Sequence, residues 1–90
     1  MNYDVILLDS AKDDLSALKK NEIQAYRKVV ALLDELCEHP RTGTGKPKLL
    51  RHRPGVWSRR ITDKHRLLYI IEDEKVIVIV LSTKGHYDDK

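Results

Sequence analysis

The segment "VWSRRITDKHRLLYIIEDEKVIVIVLS", residues 56–82, decides the fold. It contains three runs rich in β-branched and aromatic residues, VWSRRIT, HRLLYII and KVIVIVLS, which is typical of strands. Because the connectors between the runs are short, we predict that they pair as an antiparallel meander of hairpins. In the first run Trp57 and Arg59 point to one face while Ser58 and Arg60 point to the other, so one face must be polar or ligand-facing.

The residues before this segment predict a strand and two helices. "YDVILL", residues 3–8, is short and apolar, as expected of a buried strand. Apolar residues recur at spacings of three and four in residues 22–39, which indicates a helix with one face towards the core, and Pro40 ends it. The predicted fold is therefore α+β with the order β-α-α-β-β-β, in which two N-terminal helices pack on one face of a small, mostly antiparallel sheet and leave the opposite face open.

The length and composition limit the possible classes of protein. The chain has 90 residues, of which 41% are apolar and 34% charged, so we predict a single domain over residues 1–90. It has neither a signal-peptide pattern nor a run of about 20 apolar residues, which predicts a cytoplasmic protein with no membrane partner. The one cysteine, Cys37, has no partner for a disulfide or a Cys-rich metal site and is interpreted as a buried, inert thiol.

The positive charge is concentrated in one segment. Residues 41–66 contain nine Lys and Arg against one acidic residue, a net charge of +8, whereas residues 1–40 carry −3 and residues 67–90 carry −2. Confining eight net charges to so short a stretch costs self-repulsion, and the usual reason for tolerating it is a polyanion that releases counterions on binding. We therefore expect a nucleic acid as partner, with an acidic protein as the second possibility.

This segment includes the loop "GTGKPKLLRH", residues 43–52, which holds Lys46, Lys48, Arg51 and His52 within seven positions. Pairing with an acidic residue can account for one of the arginines that follow it. It cannot account for Arg59, Arg60 and Arg66 together, because Asp63 is the only acidic residue nearby in the sequence. We therefore expect at least some of these arginines to contact the ligand.

The segment "GKPKLLRHRPGVWSRRITDKHRLLY", residues 45–69, together with the "HY" at 86 and 87, resembles the YoeB/Txe branch of the RelE superfamily of type II toxin–antitoxin toxins. The resemblance implies a ribosome-dependent endoribonuclease that cuts mRNA in the ribosomal A site. In this reaction the 2′-hydroxyl of the RNA attacks the adjacent phosphate, which requires no metal or other cofactor. It also implies that the protein contacts ribosomal RNA. A cognate antitoxin is expected to bind and inhibit the protein, and the protein is expected to contact operator DNA only indirectly, through that antitoxin.

The same resemblance assigns roles to individual side chains. His86 is the expected general acid, since imidazole titrates near neutral pH. Arg66 is expected to clamp the phosphate with help from Arg59, and Tyr87 to stack on a base. The remaining candidates are expected to bind RNA: Lys46, Arg51, His52, Arg60 and His65. Trp57 also matches the family but is interpreted as a core residue.

The sequence departs from the family where the general base is expected, because Lys48 stands in place of a glutamate. Three alternatives remain open. Lys48 accepts the proton or stabilises the transition state, although as a base it must first lose its own proton, which the neighbouring cations favour. Alternatively, His52 or His65 is the base. In the third alternative no base remains and RNA is bound with little cleavage.

The tail after Tyr87 is a second departure. It adds two carboxylates, Asp88 and Asp89, which would repel RNA phosphate and favour the protonated form of His86. A rival interpretation, from a different functional class, keeps the fold without the chemistry. In it the chain is a catalytically weak or inactive protein that binds its antitoxin and acts as a co-repressor at operator DNA.

Overall fold

The computed structural model describes residues 2–81. It contains two helices and five strands, in this order: β1 (Asp4–Leu7), α1 (Asp9–Asn21), α2 (Ile23–Leu36), β2 (Lys48–Leu49), β3 (Val56–Arg60), β4 (Arg66–Glu72) and β5 (Lys75–Val80). Neither helix is long and apolar enough to cross a bilayer.

The strands form one sheet in the order β1-β5-β4-β3-β2. The pairs β2–β3, β3–β4 and β4–β5 are antiparallel, and β1 pairs with β5 in parallel. This confirms the predicted meander and the mostly antiparallel sheet. Strand β2 was not predicted, because a strand of two residues is too short to show an alternating pattern.

The main core lies between the helices and one face of the sheet. From α2 it receives Val29, Leu32 and Leu36, which pack against side chains of β4 and β5 such as Tyr69 and Val78. Burial of these apolar side chains is the principal force that holds the helices on the sheet. The prediction that both helices cover a single face is confirmed.

The opposite face of the sheet is only partly open, contrary to the expectation. Leu50, Val56 and Leu68 form a second small cluster there, with Ile70 packed against it. Leu50 follows β2 and donates its backbone N–H to the carbonyl of Val56 at 2.8 Å, which continues the β2–β3 pairing beyond Leu49 and places Leu50 beside Val56. The uncovered part of the face lies near the turn that joins the end of β3, at Arg60, to the start of β4, at Arg66.

Candidate active site

The loop between α2 and β2 brings the basic segment to the edge of the sheet. Gly45 has φ +85°, and its carbonyl accepts a hydrogen bond of 2.8 Å from the backbone N–H of Arg60. A Cβ on Gly45 would lie 2.9 Å from the carbonyl oxygen of Arg60, so the close approach of loop and strand requires glycine. Lys46 follows with φ +53° and an exposed side chain.

Lys48, Arg60 and Arg66 lie on the sheet face opposite the helices. Lys48 of β2 pairs with Ser58 of β3, and Arg60 of β3 pairs with Arg66 of β4. Paired residues of antiparallel strands share a face, as do residues two apart on one strand. From the ordinary strand spacings, the Cα atoms of Lys48 and Arg66 are about 12 Å apart. This distance allows three long cationic side chains to reach one phosphodiester.

Arg60 and Arg66 both contact the turn between β3 and β4. Arg60 forms an ion pair with Asp63, in which the side chains are 49% and 86% exposed. Arg66 is partly buried, and its Nη1 donates to the carbonyl oxygens of Thr62 at 2.7 Å and His65 at 3.1 Å. An exposed ion pair is weak, about 0–1 kcal/mol, so a phosphate can replace Asp63 at Arg60 at little cost.

Arg59 occupies a different place from the one expected. Its side chain points to the helix face and is fully buried, so it has no surface for an RNA phosphate. It forms an ion pair with Glu35, which lies 24 positions earlier in the chain. The expectation that Arg59 helps clamp the phosphate is therefore wrong in this structure, because the acidic partner sought near it in the sequence comes from α2.

Glu35 was missed by the sequence analysis. Its carboxylate accepts hydrogen bonds from the backbone N–H of Thr44 at 2.8 Å and from the Thr44 hydroxyl at 3.0 Å, as well as from Arg59. Desolvation alone would raise the pKa of Glu35, but the bonds from Thr44 and Arg59 outweigh it and lower that pKa below its ordinary value. The one sequence signal was a carboxylate beside the apolar stripe of α2, next to Leu36.

The ring of Tyr69 completes this buried group. Its hydroxyl accepts a hydrogen bond from Nε of Arg59 at 3.2 Å and donates one to the carbonyl of Pro40 at 2.6 Å. Burial raises the pKa of Tyr69, so the phenol stays protonated and remains a donor at neutral pH. Trp57 stacks on the same ring with centroids 6.4 Å apart, and it packs against the main core as predicted.

His65 is also buried and does not belong to the cationic face. It is 7% exposed, and its Nε2 lies 3.0 Å from a carboxylate oxygen of Glu22 at the junction of α1 and α2. The predicted RNA contact of His65 does not fit this position. It is also a poor candidate for the general base, because it lies on the helix side of the sheet whereas Lys48 lies on the other side.

Arg51 and His52 are exposed, but they lie at the other end of the β2–β3 hairpin from Arg60. At about 3.4 Å per residue, the end of the hairpin is more than about 13 Å from Arg60 along the strand direction. Of the alternatives for the general base, Lys48 is thus the one that lies close to the arginines.

His86, Tyr87 and the Asp88–Asp89 tail lie outside the described residues, and their roles stay predictions. Within residues 2–81, no group of three or more His, Cys, Asp or Glu side chains converges as a metal site requires. Cys37 is partly buried, and its thiol lies 3.7 Å from the carbonyl oxygen of Leu33.

Comparison with known proteins agrees with the fold. A family model described as the YoeB-like toxin of bacterial type II toxin–antitoxin systems matches residues 8–87. Toxin YoeB of Escherichia coli (strain K12) is 32% identical over 84 residues, which cover 92% of this chain and 98% of that protein.

Solved structures of similar proteins have the same fold. The YoeB/ParE toxin from Agrobacterium tumefaciens superposes with a TM-score of 0.81 at 29% identity, over 93% of this chain and 99% of the other. A chain of the YoeB–YefM complex from Staphylococcus aureus gives a TM-score of 0.78 at 27% identity, over 97% of this chain and 100% of the other. The chain therefore belongs to the YoeB-like toxins of bacterial type II toxin–antitoxin systems, within the RelE superfamily.

Proposed function

We propose that this toxin is a ribosome-dependent endoribonuclease that cuts mRNA in the ribosomal A site and so inhibits translation. The observation that carries the proposal is the shared position of Lys48, Arg60 and Arg66 on three adjacent strands, on the face away from the helices. The guanidinium groups of Arg60 and Arg66 provide the charge stabilisation that phosphoryl transfer requires, and Lys48 is within reach of the same phosphodiester. Membership of the YoeB-like family supports the same reaction.

In the proposed reaction the 2′-oxygen of the RNA attacks the adjacent phosphorus and the bond from phosphorus to the 5′-oxygen breaks. The products are a 2′,3′-cyclic phosphate and a free 5′-hydroxyl. Arg66 holds the phosphoryl oxygens, and Arg60 joins it when its exposed bond to Asp63 opens. Lys48, as the neutral amine, accepts the 2′-proton, and His86, as the imidazolium, protonates the leaving 5′-oxygen.

The other cations of the basic segment are proposed to position the RNA. Lys46 is exposed beside the end of β3 and is suited to a backbone phosphate, while Arg51 and His52 extend the surface to the far end of the hairpin. Tyr87 would stack on a base. These contacts give affinity for the mRNA and the ribosomal RNA around the A site.

Binding of a cognate antitoxin is proposed as the means of inhibition. The YoeB of Staphylococcus aureus has been solved in complex with YefM, which supports an equivalent partner for this chain. An acidic segment would be attracted by the net charge of +8 on residues 41–66 as strongly as RNA is. A toxin–antitoxin complex that cleaves mRNA as fast as the free toxin would contradict this part of the proposal.

The test of the nuclease is primer-extension mapping of an mRNA on purified ribosomes. We expect the wild-type protein to cut, and Lys48→Ala and His86→Ala to lose most of the cleavage. Lys75→Ala is the matched control, since Lys75 is an exposed strand lysine outside the basic segment. Cleavage that survives Lys48→Ala would assign the base to another group, and Lys48→Glu tests whether the family's carboxylate can replace the lysine.

A second candidate, the inactive co-repressor, is favoured by one observation. Two predicted RNA contacts, Arg59 and His65, are buried in the structure. If the wild type fails to cut on ribosomes programmed with varied codons, yet binds its antitoxin on operator DNA, the co-repressor becomes the better description.

A further inference from the structure

The loop between α2 and β2 is held in place by buried side chains. In the part of the chain that the structure describes, no backbone–backbone hydrogen bond involves residues 40–42. Instead, two side chains of the sheet donate hydrogen bonds to backbone carbonyls of the loop. Arg59 donates to the carbonyls of His39, Thr42 and Thr44, and Tyr69 donates to that of Pro40. The loop that leads to Lys46 and Lys48 is thus attached to the core by buried side chains on the helix-facing side of the sheet.

The guanidinium of Arg59 is suited to this task by its shape. Nη1 donates to Glu35 and to the Thr44 carbonyl at 3.2 Å, Nη2 donates to the His39 carbonyl and to the Thr42 carbonyl at 2.7 Å, and Nε donates to Tyr69. A planar fork of five N–H donors reaches acceptors in several directions at once, which a lysine ammonium on a flexible stem cannot reproduce.

The carboxylate of Glu35 holds the loop from the helix side. It neutralises the buried charge of Arg59 and accepts both the backbone N–H and the hydroxyl of Thr44. Thr44 is therefore bound at its N–H, its hydroxyl and its carbonyl. Lys46 comes two residues later and Lys48 four residues later, so a displacement of Thr44 is passed on to both lysines over a short length of chain.

We propose that Arg59, Glu35 and Tyr69 form a buried anchor that acts as a set of positioning residues for Lys46 and Lys48. The inference rests on the proposed function, since it concerns the rate of the same cleavage. The anchor does not touch RNA. It fixes the loop so that Lys48 stays opposite Ser58, in line with Arg60 and Arg66.

Tyr69→Phe is the mildest perturbation of the anchor. It removes one hydroxyl, which joins Arg59 to the Pro40 carbonyl, and leaves the core ring in place. We expect single-turnover cleavage at saturating ribosome concentration to slow at least about tenfold, because small misplacements of a catalytic group are costly. The ribosome concentration at half-maximal rate is expected to rise by less than the cleavage rate falls, because the displaced loop carries Lys46, one of several proposed RNA contacts.

A double-mutant cycle distinguishes positioning from general weakening of the fold. If the anchor acts through Lys48, Tyr69→Phe should slow cleavage by less than about twofold in a Lys48→Ala background. In an Arg66→Ala background, where the altered residue lies on β4 and not on the loop, the tenfold effect should persist. Equal effects in both backgrounds would overturn the inference.

Glu35→Gln gives a second and independent perturbation, with Glu22→Gln as its matched control. Both carboxylates pair with a buried side chain, Glu35 with Arg59 and Glu22 with His65, but the two pairs lie at opposite ends of α2. We expect Glu35→Gln to slow cleavage and Glu22→Gln to leave it within about twofold. Equal slowing in both variants would mean that general stability, and not the anchor, decides the rate.

Amide hydrogen exchange supplies a readout that does not depend on cleavage. The N–H of Thr44, which is bonded to Glu35, should exchange faster in Glu35→Gln and Tyr69→Phe than in wild type, while that of Ile61 should be unchanged. Unchanged exchange at Thr44 would overturn the anchor. If the wild type does not cleave, the proposed function fails and with it the catalytic part of the inference, but exchange at Thr44 still decides whether the anchor holds the loop.

Discussion

The replacement Arg59→Met is the most demanding test of the buried ion pair. Methionine keeps a long side chain in the core but removes the guanidinium, so Glu35 and the loop carbonyls lose their donors. Removing one partner of a buried pair costs about 3–5 kcal/mol in the free energy of unfolding. Because the Glu35 side chain is 27% exposed and water can rehydrate it, we expect a smaller loss of about 2–4 kcal/mol.

The loss can be measured by urea unfolding, followed through the fluorescence of Trp57, the only tryptophan. A loss of this size is a large part of the total stability of a small domain, about 5–15 kcal/mol. Arg60→Met is the matched control, since the adjacent arginine points to the other face and its exposed pair with Asp63 contributes less than about 1 kcal/mol. If the two variants lose the same stability within about 0.5 kcal/mol, the reasoning is refuted.

Three further predictions follow from the same geometry. The stabilising effect of Glu35 is the difference in unfolding free energy between wild type and Glu35→Gln. Because the pKa of Glu35 is lowered in the folded state, this difference should be present at neutral pH and decrease as the pH drops below the ordinary carboxyl pKa of 4.5. Urea unfolding of both proteins across this pH range measures the difference. An increase in the difference on acidification would contradict a lowered pKa for Glu35. Gly45→Ala should cost more stability than Gly55→Ala in the same unfolding assay. Both positions have positive φ and incur about 1–2 kcal/mol of strain, but only at Gly45 would the new Cβ meet backbone, 2.9 Å from the Arg60 carbonyl oxygen; equal losses would show that the contact relaxes. Arg51→Ala should weaken binding to single-stranded RNA. The slope of log affinity against log salt concentration, measured by filter binding, should fall in magnitude by about 0.7, as expected for one lost phosphate contact, and an unchanged slope would show that Arg51 does not contact the RNA.

The antiparallel meander was predictable because its signals are local. Alternation of side chains and short connectors appear within residues 56–82, and the two helices show their own apolar periodicity. The same alternation assigned Arg59 and Arg60 to opposite faces of β3. The family motif and the cluster of positive charge are likewise properties of the sequence, and they indicated the correct family.

Which of the two faces meets solvent depended on contacts between distant parts of the chain. The partner of Arg59 is Glu35, 24 residues away on a helix, and the partner of His65 is Glu22, 43 residues away. No local pattern indicates such pairs, so both side chains were expected to contact RNA.

The sequence by itself thus determined the family, the order of helices and strands and the location of the positive charge. Only the tertiary structure decided how those charges are divided. Packing of α2 on the sheet removes Arg59 from water and gives it a carboxylate and four oxygen acceptors, which a buried guanidinium requires. The pairing of β2, β3 and β4 leaves Lys48, Arg60 and Arg66 on the opposite face, where a phosphate can reach them.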